Sequence, residues 1–159
     1  MFKLLLRVTI LGLASWMVSH ILPGDVMNPV STAYAARSPS SLFVYVDSMG
    51  DLQKKLRSAK NASKPVMIEF YASWCPVCRK VDQTVLSDRD VQASMRGFTA
   101  IRVDVSETNA SLNRMMEEYQ VYGVPTMIFY DKNGKLFETN KLNSGITKQD
   151  LISTLRELS

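Results

Sequence analysis

Blocks of apolar residues separated by polar turns predict strands and helices in alternation. Residues 42–46 (LFVYV) form a short apolar run typical of a strand, and Asp47 or Ser48 then caps a helix with apolar residues at helical spacing. Residues 66–71 (VMIEFY) are almost all apolar, which favours a central strand covered on both faces. The first half of the chain therefore predicts the order strand, helix, strand.

The same alternation continues to the C-terminus. A helix is predicted from Cys75 to about Leu86, and a second short helix follows over residues 87–96 after a break. The later elements are a strand at residues 98–105, a helix with the apolar face Leu112, Met115, Met116 and Tyr119, a strand at residues 126–130, a turn at residues 131–134, a return strand from Lys135 to about Lys141, and a helix opened by Thr147 with Asp150. This order predicts an α/β domain.

The N-terminal residues have a different pattern. Lys3 and Arg7 precede an uncharged run over residues 8–24, and AYAA at residues 33–36 offers the small residues of an export cleavage site. We expect a signal peptide over residues 1–35 that is cleaved after Ala35. A retained membrane anchor is the alternative, because the gap between Leu22 and Ala35 is long. Residues 36–41 are then a linker, and residues 42–159 form the folded domain.

Composition and charge exclude several classes of function. The chain is 46% hydrophobic and 21% charged, which is typical of a globular domain that folds without needing a disulfide. Its net charge is +4, and no basic run with interleaved aromatic residues appears, so we expect no nucleic-acid partner. The single histidine, His20, lies before the domain. The domain therefore has too few ligands for a zinc site and no Cys–His catalytic pair, and we expect neither metal nor cofactor.

The two cysteines form a CPVC motif directly after the central strand. At the start of a helix, unpaired backbone N–H groups and the helix dipole favour a thiolate, so Cys75 should ionise well below the ~8.5 of a free thiol. Cys78 follows one turn later on the same face, where it can attack a mixed disulfide. Pro76 fits the first turn because its missing N–H is not required there. This context indicates a redox pair rather than a structural disulfide or half of a metal site.

Three stretches resemble a known family. FYASWCPVC, YGVPTMIFYDKNGK some fifty residues later, and GITKQDLISTLREL at the C-terminus are similar to the thioredoxin fold, and the match runs over residues 44–158. The stretch VMIEFYASWCPVCRKVDQTVLSDRDV resembles the C-terminal periplasmic domain of the DsbD-type thiol:disulfide interchange proteins. The resemblance implies a central mixed β-sheet flanked by helices, with the CxxC motif at a helix N-terminus. It also implies that Cys75 is the nucleophile, that Cys78 resolves the mixed disulfide, and that Pro125 lies in a cis-proline loop that docks the partner.

Two acidic residues near the motif have alternative interpretations. Glu69 is the single charged residue of its apolar strand, and burying an unpaired charge is costly. The resemblance implies that it takes and returns a proton near Cys78; the alternative is that it reaches solvent at the end of the sheet. Asp82 lies on the same helical stripe as both cysteines. It either tunes the thiols, as the resemblance implies, or is a solvated helix residue.

The expected partner-binding residues flank the cysteines and the cis-proline loop. Trp74 is expected to be a partly exposed aromatic beside the nucleophile that gives contact area to a partner, and the alternative is a pure core role. Pro76, on the other side of Cys75, is also expected to contact the partner. A cis bond before Pro125 would expose the backbone of Val124 for strand-like pairing with a partner and would hinder metal capture by the thiols.

The expected function is therefore that of a monomeric periplasmic thiol:disulfide oxidoreductase. It would exchange disulfides with partner proteins as a reductase or electron relay, with a membrane protein as electron donor. A thiol oxidase would use the same residues, and Pro76 is mildly in its favour. A non-enzymatic thioredoxin-like binding module would dock partners through Val124 and Pro125, and a metal chaperone would need Met or His ligands that the motif lacks. Potentials of such pairs run from about −270 to −120 mV, so the motif does not set the direction of electron flow.

Overall fold

The computed structural model describes residues 39–137, 143 and 145–159. The predicted signal peptide at residues 1–35, the first part of the linker, and residues 138–141 of the predicted return strand lie outside the described residues.

The described elements alternate between strands and helices. After a short 3-10 helix at Pro39–Leu42, they are β1 (Val44–Val46), α1 (Met49–Asn61), β2 (Val66–Tyr71), α2 (Pro76–Val81) with a π-helical continuation (Asp82–Leu86), α3 (Arg89–Met95), β3 (Thr99–Asp104), α4 (Ala110–Glu118), β4 (Thr126–Tyr130) and α5 (Lys148–Leu158).

The strands form one mixed sheet in the order β1-β3-β2-β4. The strand β3 pairs in parallel with both β1 and β2, whereas β4 pairs antiparallel with β2. The register places Glu69 of β2 directly beside Arg102 of β3. The predicted mixed sheet is confirmed, and β2 is buried at five of its six positions, as its apolar sequence predicts.

Side-chain caps fix where several helices begin. Ser48 accepts a hydrogen bond from the Asp51 N–H at 3.2 Å at the start of α1, so Ser48 rather than Asp47 is the cap. Thr147 and Asp150 form a reciprocal capping box at the start of α5, as predicted. The Asp88 side chain caps α3 by accepting the N–H groups of Asp90 and Val91, at the break that the sequence predicts after residue 86.

Apolar layers cover both faces of the sheet. The helices α1 and α4 bury Leu52 and Met115 against one face, and both cysteines belong to this layer. The helices α3 and α5 bury Val91, Leu151 and other apolar residues against the opposite face. Within the described ranges, no helix is sufficiently long and apolar to cross a membrane.

Two predicted boundaries are wrong. The predicted strand at residues 42–46 begins only at Val44, because Leu42 ends the 3-10 helix and packs with Phe43 into the second apolar layer. An apolar run alone does not distinguish a strand from a packed turn. In addition, Cys75 precedes the helix as its cap, and the helix widens at Asp82, where the Ser87 N–H donates to the Asp82 carbonyl at 3.0 Å.

Candidate active site

The two thiols lie where β2 leads into α2. Cys75 is the N-cap of the helix, and its Sγ accepts a hydrogen bond from the Cys78 N–H at 3.2 Å. Cys75 is 5% exposed and Cys78 is fully buried, and both are free thiols. Pro76 occupies the first helical turn, as predicted. The helix therefore presents one thiol near the surface and keeps the second directly behind it.

The loop before β4 contacts the first thiol. The peptide bond between Val124 and Pro125 is cis, as predicted. The Cys75 Sγ donates to the Val124 carbonyl oxygen at 3.5 Å, although the two residues are far apart in sequence. A partner sulfur that reaches Cys75 would thus meet the backbone of Val124.

An exposed apolar rim surrounds this position. Trp74 is 61% exposed, more than the partial exposure expected, and Tyr122 is 93% exposed. Val77, between the cysteines, is also exposed. A groove of about 440 Å³ runs past Tyr122 and the cis-proline to Asn143. The sequence analysis missed Tyr122, although an aromatic residue beside a glycine in the segment VYGVP was a usable signal.

A second set of contacts holds the loop that carries Trp74. The indole Nε1 of Trp74 donates to the Ser106 carbonyl at 3.1 Å, and the Ser73 N–H donates to the Ser106 hydroxyl at 2.7 Å. Arg79 donates to the Ser73 carbonyl at 2.7 Å. Ser106, which the sequence analysis also missed, therefore ties the loop before Cys75 to the end of β3.

Glu69 lies in the interior and does not reach solvent at the end of the sheet, so that alternative is wrong. The side chain is fully buried, and its Oε2 accepts from the Arg102 Nε at 2.8 Å and lies 2.6 Å from Nη2. Its Oε1 has no hydrogen-bond partner among the described residues. Burial raises the pKa of Glu69 to about 7, and the positive charge of Arg102 opposes this rise.

Arg102 joins the two predicted acids. Its Nη2 lies 2.6 Å from Asp82 Oδ1, and its guanidinium is stacked between the rings of Phe43 and Tyr71, 4.3 and 4.4 Å from their centroids. Asp82 is 19% exposed and paired, so the interpretation as a solvated helix residue is wrong. Tuning of the thiols by Asp82 stays a prediction, and its contact in the structure is with Arg102.

The sequence analysis missed Arg102 itself. The available signal was a charged residue inside the alternating strand at residues 98–105, much like Glu69 in β2. Their pairing depends on the register of two parallel strands, which residue patterns alone did not provide.

Cys78 is strongly perturbed by its surroundings. Burial, the hydrogen bond with Cys75 and the negative charge of Glu69 raise the pKa of the Cys78 thiol to about 12. Cys78 therefore remains protonated at neutral pH and requires a base before it can attack a sulfur. Glu69, whose charge acts on Cys78 and whose pKa is close to neutral, has the properties of that base.

Metal binding has little support in this part of the molecule. Across residues 39–137, 143 and 145–159, no three His, Cys, Asp or Glu side chains are grouped so that they could hold a metal ion. The arrangement of two thiols, a base and an exposed apolar rim suits chemistry between sulfur atoms.

A family model described as a thioredoxin-like domain matches residues 52–159. The chain belongs to the thioredoxin-like family. The predicted thioredoxin fold, with the CxxC motif at the start of a helix, is thereby confirmed.

Curated relatives agree with the resemblance to DsbD-type proteins. The thiol:disulfide interchange protein DsbD of Campylobacter jejuni (strain RM1221) is 32% identical over 132 residues, which are 82% of this chain and 22% of that protein. DsbD of Vibrio vulnificus (strain YJ016) is 28% identical over 78% of this chain and 21% of its own length. The chain thus spans about a fifth of the length of these relatives.

Solved structures share the same fold. The oxidised C-terminal domain of DsbD from Neisseria meningitidis matches with a TM-score of 0.62 at 19% identity, over 73% of this chain and all of that one. A thioredoxin from Thermus thermophilus matches with a TM-score of 0.57 at 24% identity, over 72% of this chain and 85% of that one. At these identities the likeness shows the fold, and the chemistry has to be argued from the site.

Proposed function

We propose that this thioredoxin-like protein is a thiol:disulfide oxidoreductase that exchanges disulfides with partner proteins through Cys75 and Cys78. The observation that carries the proposal is the contrast between the two thiols. Cys75 caps a helix beside the exposed rim, and Cys78 is buried and protonated and has its pKa raised in part by the negative charge of Glu69. The relatives named thiol:disulfide interchange protein support the same activity.

The first step is attack on the partner. The Cys75 thiolate attacks one sulfur of a partner disulfide, and a bond forms between Cys75 and that sulfur while the partner's S–S bond breaks. The second partner sulfur leaves as a thiolate and takes a proton from solvent. Trp74, Pro76, Val124 and Pro125 bind the partner around this sulfur.

The second step releases the partner. Glu69 accepts the proton of Cys78, and the resulting thiolate attacks the Cys75 sulfur. A Cys75–Cys78 disulfide forms, and the partner's remaining sulfur leaves as a thiolate that is protonated, through Glu69 or from solvent. Two electrons pass from the dithiol to the partner, so the pair must then be reduced again.

The direction of electron flow, from the dithiol to the partner, is part of this proposal. We propose a reductase or electron relay in the periplasm, with residues 1–35 directing export and residues 42–159 acting as the exchange domain. A membrane thiol protein would supply the electrons. A non-enzymatic binding module has less support, because docking alone would make no use of a buried Cys78 beside a proton acceptor.

The test has two parts. The first compares two single variants in trapping a mixed disulfide, and the second measures the reduction potential of the wild type. With a small disulfide-bonded protein as partner, Cys78→Ser should accumulate a mixed disulfide on Cys75, and Cys75→Ser should form none. Equilibration in glutathione buffers should give a potential near that of thioredoxin, about −270 mV. A potential near about −120 mV would instead identify a thiol oxidase, and no reversible transition would leave only the binding module.

A further inference from the structure

Five exposed cations lie on two chain segments at the end of the domain away from the thiols. Arg57, Lys60 and Lys64 border a pocket of about 180 Å³ at the end of α1, together with Tyr130 and Asp131 at the end of β4. The turn that follows adds Lys132 and Lys135. We call these five cations (Arg57, Lys60, Lys64, Lys132 and Lys135) the basic pole.

The two segments of the basic pole are in contact. Gly134 has a positive φ of 76°, and a methyl group at this position would come within 3.0 Å of the Lys60 Cδ. The aliphatic stem of Lys60 therefore covers the turn that carries Lys132 and Lys135. The five charges belong to one surface.

The positive charge of this surface is largely uncompensated. None of the five cations forms an ion pair with another residue in the described ranges, whereas Lys54 and Lys148 do. Asp131 is the acid of the pocket, and its carboxylate already accepts the N–H groups of Asn133 and Lys135 at 2.9 and 2.8 Å. Among the residues that the structure describes, five positive charges thus face one engaged carboxylate.

Stabilisation of α1 explains the presence of only some of the five cations of the basic pole. Arg57 and Lys60 lie in the last turns of α1, where cations favour the helix dipole. Lys64 lies beyond the helix, and Lys132 and Lys135 come from another element. Their shared location therefore calls for an anionic binding partner.

The basic pole lies opposite the candidate active site. Val66, the first residue of β2, lines the pocket, and Cys75 lies four residues beyond Tyr71, the last residue of the same strand. Six extended residues span about 17 Å. A large anionic surface could cover the basic pole and leave the thiols and the exposed rim accessible.

The sequence before the domain indicates which anionic surface is concerned. Residues 8–24 are an uncharged run behind Lys3 and Arg7 that mixes apolar residues with Thr9, Ser15, Ser19 and His20, and only residues 25–38 separate this run from the described domain. Such a linker reaches at most about 50 Å when extended. The domain can therefore reach a membrane in which residues 8–24 are inserted, or across which they have just been exported.

We infer that the basic pole binds the phosphate headgroups of an anionic membrane, so that the dithiol faces away from the lipid. The five cations of the basic pole contact neighbouring headgroup phosphates at the membrane surface. This binding is separate from disulfide exchange, because none of its residues contacts either cysteine.

The first experiment measures lysine acetylation by mass spectrometry on the full wild-type chain. The chain is bound to vesicles of phosphatidylcholine alone or of phosphatidylcholine with a third phosphatidylglycerol. Lys60, Lys64, Lys132 and Lys135 should react several times more slowly on the anionic vesicles. Lys80, which follows Cys78 in α2, should react equally on both, and 0.5 M salt should abolish the difference.

The second experiment tests the charges with matched double variants. Each basic residue near an anionic membrane contributes about fivefold to binding, so Arg57→Gln with Lys64→Gln should weaken binding to the anionic vesicles about 30-fold. Lys80→Gln with Arg89→Gln removes the same charge from exposed positions of α2 and α3 and should change it little. Both double variants should keep the wild-type reduction potential and far-UV circular dichroism.

Three results would overturn the inference. They are equal acetylation on neutral and anionic vesicles, protection that includes Lys80, and an equal loss of binding in the two double variants. Protection of the basic pole by polyglutamate but not by vesicles would also overturn it, and would identify an acidic protein as the partner.

Discussion

Replacing Glu69 with glutamine tests whether this buried carboxyl controls how stability depends on pH. The side chain is fully buried beside Arg102 of β3, and its pKa is raised from 4.5 to about 7. Glutamine keeps the size of the side chain and can still accept a hydrogen bond from Arg102, but it does not titrate. The variant therefore removes the titratable proton at residue 69 and keeps the packing of the side chain.

The size of the expected change in unfolding free energy follows from the shift in the pKa of Glu69. Between pH 4.5 and 7 the folded protein holds a proton on Glu69 that the unfolded chain releases, so the folded state is favoured at low pH and loses this advantage as the pH rises. A shift of 2.5 units corresponds to about 3 kcal/mol of unfolding free energy.

Few other groups interfere in this window. The single histidine of the chain, His20, lies outside the described domain. The carboxyls whose pKa is lowered titrate below this pH window. They are Asp51, Asp88, Asp131 and Asp150. The slope between pH 4.5 and 7 therefore reports mainly on Glu69.

The assay is urea unfolding of the reduced protein, followed by far-UV circular dichroism at half-unit steps from pH 4.5 to 7.5. The wild type should lose about 3 kcal/mol across this range, and Glu69→Gln should lose less than about 1 kcal/mol. If the wild type loses as little unfolding free energy as expected for the variant, the raised pKa of Glu69 is refuted. If both proteins lose about 3 kcal/mol, the raised pKa belongs to another group.

Three further changes test other parts of the structure. Arg102→Met should lower the unfolding free energy by about 3–5 kcal/mol at pH 7 and by less at pH 5, where Glu69 is protonated; an equal loss at both pH values would contradict the ion pair. Leu52→Ala, at a fully buried position of α1, should cost about 3 kcal/mol by urea unfolding without changing the reduction potential, and a loss below 1 kcal/mol would mean that the site is loosely packed. Trp74→Ala should lower stability by about 1 kcal/mol or less and should raise the KM for a protein disulfide, and an unchanged KM would exclude Trp74 from partner binding.

The local pattern of the sequence was enough to predict most of the elements. The almost uniformly apolar β2 and the signals at Ser48 and Thr147 act over one or two turns, so they are visible without knowledge of the fold. The position of the two thiols at a strand-to-helix junction is equally local.

Features that depend on distant parts of the chain could not be predicted in this way. Arg102 becomes part of the site only because β3 pairs in parallel with β2 in a specific register. Tyr122 lines the groove at the cis-proline and Ser106 contacts the loop that carries Trp74, and both positions depend on how loops from distant parts of the chain pack. The start of β1 at Val44 likewise depends on what Leu42 and Phe43 pack against.

The hydrogen bond from Cys75 to the Val124 carbonyl links partner docking to the state of the nucleophile. A protonated thiol occupies this carbonyl, and a thiolate has no proton to donate. Because a carbonyl oxygen has two lone pairs, ionisation of Cys75 removes a competing donor and makes the Val124 oxygen a better acceptor for a backbone N–H of an incoming chain. We expect the protein to hold its partners more tightly in the form that is ready to react, so that an encounter with an unreactive thiol ends quickly.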